Sequence, residues 1–464
     1  MTTSPTVRML GFVNHIPPAP DIEESIARAL DWGVDVIVAQ GTGSDWGPYW
    51  LGSGGQVQAN VAQNVRPYVQ AAIRHQIPFV FSFGIAGADV HLDRCLADFD
   101  RLCAAEGWDL DVAVIRSELS RDYLRERIAD GAAVRPATAD AGLAPELTRR
   151  DVDEAERIVA LIGPEPVMAA LRRGAAGVIT GRALDIGLFM AYPMLRGLPT
   201  AVAAHAGKLL ECGGLALEPG DSGRCIWAQL DSAGLEVRSP HPGYRASVRS
   251  LVSHTFYERS HPSLEENPGG CLDVTDATYT ETELGVRCTG ARWIERPYTV
   301  LLEGARREGF RAISMLAVRE PALLRQVRGW ADAAEQALRS SPRFAEHIAP
   351  RPAAGGHPHL RPRRRARAAG AEHRGHRARG LRGAGRGGPR PGAGRGGRLL
   401  RLHPPVHRSL PGPQDHGGQR RGPVHARGHP GERRLHVLHL PPAAAGRPGP
   451  ALRRHPPAIP RSAP

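Results

Sequence analysis

The chain has 464 residues with 60 basic and 47 acidic side chains, and its formal net charge is +13. The segment 351–464 carries +22 and residues 1–350 carry −9. The high pI therefore belongs to the last segment alone, which excludes a nucleic-acid function argued from overall charge.

The first 190 residues alternate apolar strands with helices. Strands are predicted at 7–13, 34–39, 78–83, 110–115 and 177–180. Helices are predicted at 21–32, 56–76 and 92–106, and near 118–131 and 151–173. Apolar strands separated by helices are typical of a parallel sheet that is covered on both faces. Right-handed crossovers then predict a doubly wound α/β fold.

The pattern changes after about residue 215. The segments 225–230 and 235–239 flank the turn sequence DSAG and predict a hairpin. Further strands are expected within 272–288 and at 298–302, and helices at 245–258 and 323–339. We therefore predict one large domain with an α/β parallel-sheet half over 1–215 and an α+β half over 216–350.

Residues 351–464 have a composition that is unusual for a folded protein. They hold 25 Arg, 12 His, 21 Gly and 19 Pro with three acids, and no Lys, Cys, Trp, Tyr, Phe, Asn or Met. One interpretation is a basic nucleic-acid-binding arm, and a second is a disordered linker or interaction tail. The third, which we favour, is translation in the wrong reading frame, because Arg, Gly, Pro and Ala codons begin with two G or C bases. Read one base out of frame, 408–440 can encode a string that contains YPGRKTTAGN.

No run of about 18 apolar residues occurs, so no transmembrane helix is expected, and the amino terminus lacks the features of a signal peptide. The six cysteines show no CxxC spacing, which indicates reduced thiols in a cytoplasmic protein and predicts neither a disulfide framework nor a metal site. No membrane or nucleic-acid partner is expected, and a homo-oligomer is compatible with the sequence.

Ligands of open parallel sheets bind beyond the carboxyl ends of the strands, and several loops are predicted there. The loop 40–55 (QGTGSDWGPYWLGSGG) offers Gly41, Gly43 and Asp45 for a substrate, although its spacing is not that of a dinucleotide-binding motif. A purely structural glycine-rich loop is the alternative.

Two further loops have the same expected position. The turn 84–89 (GIAGAD) contains Gly84, Gly87 and Asp89 and can bind an anion at a helix N-terminus; alternatively, Asp89 only caps that helix. The loop 180–185 (TGRALD) is the second. A planar anion suits Thr180, Gly181 and Arg182 with Asp185 beside them, or Asp185 pairs with Arg182 instead.

The segment 203–214 (AAHAGKLLECGG) contains the only lysine of the chain, Lys208. On a helix, His205, Lys208 and Cys212 share one face, and Glu211 lies beside them. This set offers proton-transfer groups and a thiol nucleophile. The alternative is a buried Cys, a capping His and a Lys208–Glu211 surface pair. The ligand spacing matches no standard metal site.

The turn 240–245 (PHPGYR) presents the imidazole of His241 and is the last candidate. Turns of this composition often have no role other than to reverse the direction of the chain.

Three segments together resemble the acyclic terpene utilisation A family. The segment VITGRALDIGLF matches TGR-x-x-D-x-x-LF at Thr180, Gly181, Arg182, Asp185, Leu188 and Phe189. The segment HAGKLLECGG matches AG-x-x-x-ECG at Ala206, Gly207, Glu211, Cys212 and Gly213. The segment HPGYRASVRSLVSHTFYE matches an HPG motif followed by a helix, at His241, Pro242, Gly243, Tyr257 and Glu258.

The resemblance implies a role in the catabolism of acyclic terpenes through acyl-CoA intermediates. The shifted frame of the tail also supplies a stretch similar to one near the end of the family's large domain. Two departures are the Trp- and Gly-rich loop 40–55 and the lack of the small ferredoxin-like domain that often follows in such proteins. We expect a lyase, hydratase or hydrolase that acts on an acyl-CoA or carboxylate by acid–base chemistry, with its cofactor unknown. A non-catalytic binding subunit is the alternative.

Overall fold

A computed structural model describes residues 5–55, 60–137, 145–259, 261–310 and 317–343. The strands are β1 (Val7–Val13), β2 (Val36–Gln40), β3 (Phe79–Ser82), β4 (Val112–Ile115), β5 (Ala155–Leu161), β6 (Gly177–Thr180), β7 (Ile226–Asp231), β8 (Gly234–Arg238), β9 (Leu264–Asn267), β10 (Gly270–Asp273), β11 (Thr278–Glu281), β12 (Val286–Thr289), β13 (Arg292–Glu295) and β14 (Leu301–Arg306). The helices are α1 (Ile22–Trp32), α2 (Pro48–Ser53), α3 (Val61–His75), α4 (Asp89–Glu106), α5 (Arg121–Ala129), α6 (Arg149–Glu154), α7 (Glu165–Arg172), α8 (Asp185–Leu195), α9 (Thr200–Leu210), α10 (Val248–Thr255), α11 (Pro321–Arg325) and α12 (Val327–Ser340).

The main sheet has nine strands in the order β11-β12-β8-β7-β1-β2-β3-β6-β4. The five strands β1, β2, β3, β6 and β4 run parallel to one another. The four others extend the sheet from β1 with antiparallel pairing. The predicted α/β class with a large parallel sheet is therefore confirmed. The parallel strands end together at one edge of the sheet, which we call the carboxyl edge.

Helices cover both faces of this sheet. On one face, α1, α3 and α4 pack through residues such as Ile26, Val65 and Phe99 against alternate strand residues. On the other face, α7 to α10 pack against the intervening strand residues, with Phe189 and Leu209 fully buried. Strand residues are buried on both sides because the crossovers place a helix over each face, and this explains the continuous apolar runs in the sequence.

Two smaller sheets accompany the main one. The order in the first is β13-β10-β9, and the second pairs β14 with β5 in an antiparallel ladder from Leu301↔Leu161 onward. The β14–β5 pair is important for the site because it places Glu303 near the carboxyl edge.

Two predictions of local structure were wrong. The helix predicted over 151–173 is helix α6, strand β5 and helix α7. The apolar run at 158–161 is too short for its period to distinguish strand from helix, and pairing with β14 decides for the strand. The loop 40–55 contains the short helix α2, which begins with Pro48.

Residues 5–310 and 317 belong to one compact unit, in which β7 from the predicted second half pairs with β1 from the first. How the two predicted halves divide the domain stays a prediction. The helix predicted at 323–339 corresponds to α11 and α12 of a second unit. The predictions for 351–464, and for 56–59 at the start of the third helix, fall outside the described residues. None of the helices within the described ranges is long and apolar enough to cross a bilayer.

Candidate functional site

Three of the predicted loops meet at the carboxyl edge. The Gly41 amide donates a hydrogen bond of 2.8 Å to Ser82 Oγ at the end of β3. The Gly43 amide donates one of 2.8 Å to the Ile85 carbonyl. Next along the sheet, the loops of 84–89 and 180–185 are joined by a bond of 3.0 Å from the Arg182 amide to the Gly87 carbonyl. The topology thus brings together loops that are separated in the sequence, the first and third of them by more than one hundred residues.

The glycines of these loops allow the close approach. A Cβ atom on Gly41 would collide with Asn14 Oδ1, and one on Gly181 would collide with the Gly87 carbonyl. Gly87 has φ 68 and Gly84 has φ 96, which non-glycine residues rarely adopt. The glycines therefore serve loop-to-loop packing, while ligand binding by these amides stays a prediction.

Arg182 lies at the centre of this edge and is 3% exposed. Its guanidinium donates five hydrogen bonds of 2.8–3.3 Å, to the carbonyls of Thr42 and Ala183, the carboxylates of Asp185 and Glu303, and Ser44 Oγ. The alternative in which Asp185 pairs with Arg182 therefore describes the geometry. Arg182 joins the first loop, β14 and the start of α8, and its hydrogen-bonding capacity is used within the protein.

The other predicted binding residues of these loops lie around Arg182. Thr180 is fully buried and its hydroxyl donates to the Gly181 carbonyl over 3.0 Å. Asp89 is the first residue of α4 rather than its cap, and its carboxylate lies 3.5 Å from Arg116. Burial raises the pKa of Asp89. Asp45 is exposed.

Lys208 and Glu211 form a buried ion pair at the end of α9. The Lys208 ammonium donates a 2.6 Å hydrogen bond to Glu211 Oε1, and the two residues are 3% and 4% exposed. The pair is therefore not the surface pair that the sequence also allowed. Gly207 fixes its position, because a Cβ there would collide with the backbone of Ile186 in α8. The close approach of α8 and α9 buries the helix end that carries Lys208.

The fold adds His254 of α10 to this pair. His254 is 5% exposed, and one ligand atom each of Glu211, Cys212 and His254 lie within 4.8 Å of one another. His254 was not among the predicted site residues, although it lies inside the HPG-containing segment that carries part of the family resemblance. A histidine within an amphipathic helix does not by itself indicate a functional site, because the sequence does not show which residues it will face.

Burial shifts the pKa values of this cluster towards uncharged forms. Burial raises the pKa of Glu211; the charge of Lys208 opposes this shift, and the charges of Glu265 and Asp185 reinforce it. We take the pair as ionised, because the Lys208 ammonium lies 2.6 Å from Glu211 Oε1 and would otherwise be buried beside a neutral group. Burial lowers the pKa of His254 to about 4, with a further contribution from the Lys208 charge. Burial also raises the pKa of the Cys212 thiol, which favours the thiol over the thiolate.

Lys208 shows the opposite balance. Burial lowers the pKa of its ammonium, but the charges of Glu211 and Glu265 more than offset burial and the net direction is upward. The pKa of Asp185 is raised by burial, against the charges of Arg182 and Lys208. Lys208 is therefore a buried cation held among acids, which is the electrostatic signature of many active sites.

A second buried ion pair lies beside the first. The Arg259 side chain is 1% exposed and its guanidinium is 2.6 Å from Glu265. Within the described residues its nitrogens make no hydrogen bond of good geometry. The charge of Arg259 lowers the pKa of His254, after burial and Lys208, and also that of His205, which burial brings to about 4.

His205 takes part in a hydrogen-bonded chain on the inner side of α9. Its Nε2 is 3.0 Å from the Tyr279 hydroxyl, which lies 2.9 Å from the Thr255 hydroxyl. Thr255 donates in turn to the Leu251 carbonyl over 2.8 Å. The neutral imidazole is thus fixed between α9, α10 and β11. Tyr279 and Thr255 were not predicted, because strand and helix patterns do not reveal which residues face each other.

His241 lies in a separate group at the start of α1. Its Nε2 contacts the Asp21 carboxylate, which also binds Arg224. These contacts hold the pKa of Asp21 at about 2, with the His241 hydrogen bond as the largest cause. In the described part of the chain, no hydrogen bond or ion pair joins His241 to Lys208 or Glu211.

Two clefts open away from this cluster. One of about 260 Å³ is lined by Leu96, Phe99 and Trp108. The other, of about 660 Å³, is lined by Ile73, Tyr192 and other residues near the amino ends of β3 and β6. Neither contains a predicted site residue, and the chemistry-bearing side chains concentrate at the carboxyl edge.

Comparison with known proteins identifies one family. The family described as "Acyclic terpene utilisation family protein AtuA" matches residues 56–350. No curated protein and no solved structure gives a significant match. The matched range contains the Arg182 loop, the Lys208–Glu211 pair and His254, and it ends where the basic segment 351–464 begins. The resemblance seen in the sequence motifs is thereby confirmed.

Replacing Arg182 with Lys tests the role of the guanidinium. Lysine keeps the charge but has a single ammonium, so acceptors on three chain segments lose their donor. We expect the free energy of unfolding to fall by about 2–4 kcal/mol in urea titrations. The matched control is Arg150→Lys, because Arg150 forms an exposed i,i+4 pair with Glu154. The control should change the free energy of unfolding much less, because an exposed pair contributes little, and equal effects of the two substitutions would contradict the central role of Arg182.

Proposed function

Because the chain belongs to the acyclic terpene utilisation AtuA family, we propose that it is a catabolic enzyme of acyclic terpene breakdown. Its substrate class is an anionic intermediate, an acyl-CoA or a free carboxylate. The reaction is acid–base chemistry of the lyase, hydratase or hydrolase type, and it takes place at the carboxyl edge of the main sheet, around Lys208. Family membership suggests the pathway, and the buried cluster supports the chemistry.

One observation carries the proposal. The only lysine of the chain is 3% exposed, paired with Glu211, and close enough to the acids Asp185 and Glu265 to interact with their charges. Burying two ions costs several kcal/mol each, and apolar residues of similar size are often equally stable in such places. An ion pair that fold stability does not require, at the edge where α/β proteins bind their ligands, therefore favours a functional role.

The residues have separate roles in this proposal. Lys208 donates or accepts the proton. Glu211 holds the Lys208 ammonium in position and keeps it charged until substrate binds. Arg259 supplies the positive charge for the anionic group, because its buried guanidinium makes no hydrogen bond of good geometry within the described residues. Arg182 fixes the loops. His205 supports α9 through Tyr279.

The remaining predicted groups are assigned by position. Cys212, held as a thiol, is not the nucleophile of this reaction. His241 binds Asp21 and stabilises the start of α1 rather than moving protons. The loop residues Gly41, Gly43 and Asp45 and the turn at Gly84 form the rim over which substrate enters.

A non-catalytic binding subunit is the second candidate, since the same buried charges also suit a carboxylate ligand that is bound and released unchanged. The two candidates differ in whether the proton of Lys208 moves. A nucleic-acid role would depend on 351–464 alone, because residues 1–350 carry −9.

Substitution of Lys208 separates these candidates. Incubation of the purified chain with acyl-CoA thioesters and free acids of acyclic terpenes, followed by mass spectrometry, measures turnover. We expect Lys208→Ala and Lys208→Arg both to lose about 10²–10⁴-fold, because arginine keeps the charge but does not release its proton. Arg245→Lys, at an exposed position, is the control and is expected to keep full turnover.

Three outcomes are decisive. Loss in both Lys208 variants with retained folding supports proton transfer by Lys208. Full turnover in Lys208→Arg would show that the charge alone is needed and would contradict the proposed role. Binding of a thioester without turnover by the unsubstituted chain would identify a binding subunit.

We propose separately that 351–464 is the product of a shifted reading frame. The family match ends at residue 350, and the composition changes at the same place. Resequencing the gene is expected to reveal a missing or additional base near codon 350, and peptides of the native protein should match the shifted frame. An unbroken frame together with native peptides from 351–464 would overturn this proposal.

A further inference from the structure

We propose that Glu211, Cys212 and His254 form a binding site for a divalent transition-metal ion, for which Zn²⁺ is the best match. One ligand atom from each of the three residues lies within 4.8 Å of the other two. The inference deepens the proposed function, on which its catalytic meaning rests, because the ion would stand beside Lys208. Binding itself does not depend on that function.

The ligand set and its spacing agree with zinc chemistry. Sulfur, imidazole nitrogen and carboxylate oxygen are the three ligand types that Zn²⁺ takes in proteins, at bond lengths of about 2.0–2.3 Å. Tetrahedral bonds of that length place ligand atoms roughly 3.4–3.6 Å apart. Because the present separations do not exceed 4.8 Å, a contraction of at most about 1.4 Å is needed, which side-chain rotation can supply.

His254 gives a second, independent indication. It is 5% exposed, and its Nε2 has no hydrogen-bond partner among the described residues. A buried polar atom without a hydrogen-bond partner destabilises the fold, so a ligand for that nitrogen removes a penalty. The ring is also hydrogen-bonded to the Lys208 backbone. Bonds of this kind orient metal-binding histidines in known sites.

Both signs of charge surround the proposed site: the cations Lys208 and Arg259 lie near His254, and the acids near Glu211 supply the negative charge for a metal ion. The Lys208 ammonium binds Glu211 Oε1, so the second carboxylate oxygen is the one to coordinate the ion. Asp185 and Glu265 add negative charge close enough to affect Glu211. A zinc ion also converts a coordinating thiol into a thiolate, which adds a further negative charge at Cys212.

Three protein ligands leave one position open, as in catalytic rather than structural zinc sites. A carbonyl oxygen of the substrate or a water molecule fits that position, where the ion would polarise it next to Lys208. Sequence spacing did not predict the site because Glu211 and Cys212 are adjacent, while the third ligand comes from α10.

Titration of the metal-stripped full chain with Co²⁺ tests the site directly, because a cobalt–thiolate bond gives a charge-transfer band in the near ultraviolet. We expect one equivalent of Co²⁺ to produce the band and Zn²⁺ to abolish it. Cys212→Ser should lose the band, and His254→Ala should bind Zn²⁺ at least about 10–100-fold more weakly. The 12 histidines of 351–464 are present in every variant, so metal binding by them cancels when a variant is compared with the unsubstituted chain.

The controls use matched residues elsewhere. Cys95→Ser changes a different free cysteine, one that is buried, and His75→Gln changes an exposed histidine; both should keep the band. Zn²⁺ should also protect Cys212 from alkylation in the unsubstituted chain, which requires no variant to fold. No band in the unsubstituted chain, a band that survives Cys212→Ser, or no protection by Zn²⁺ would overturn the proposal. Loss of turnover in Lys208→Ala with an unchanged cobalt band would show that metal binding is independent of the proposed proton transfer by Lys208.

Discussion

The burial of one ion pair, Lys208 with Glu211, is the constraint on which the carboxyl edge of this protein depends. Removal of a single partner of such a pair typically costs about 3–5 kcal/mol, since the other charge then remains without compensation. The surrounding structure must therefore hold both residues together. Gly207 achieves this by letting α8 and α9 approach closely, and the second ion pair, Arg259 with Glu265, balances the remaining charge.

The loops at the edge obey a related constraint, because they must pack tightly without leaving polar groups unpaired. Glycines such as Gly41 and Gly87 allow backbones to meet where any side chain would collide. Arg182 then donates five hydrogen bonds to acceptors on three segments of the edge. The result is a tightly packed rim around buried ion pairs, and such a rim can hold a bound group in a fixed position.

Much of the fold was predictable because its signals are local. Strands β1 and β6 begin and end as predicted, since buried parallel strands are short apolar runs bounded by polar or glycine residues. Strand β5 was missed because its partner β14 lies more than one hundred residues away and no local pattern reveals that pairing.

The site was predictable in part for the same reason. Lys208 and Glu211 are neighbours on one helix, so their pairing follows from the spacing, but their burial depends on how α8 packs. His254 and Arg259 reach the cluster only through tertiary structure. The glycine-rich loops were correctly expected at one edge, whereas the partners of Arg182 required the position of β14 to be known.

The most direct measurement uses the fact that the chain contains a single lysine. Labelling with ¹⁵N-lysine gives one side-chain nitrogen signal, which reports Lys208 without assignment. We expect an ammonium whose protons exchange slowly with water, because they are buried and hydrogen-bonded to Glu211. Substitution of Glu211 by Gln should shift the signal and speed up the exchange. A signal that exchanges as fast as that of free lysine, and does not respond to Glu211→Gln, would contradict the buried pair.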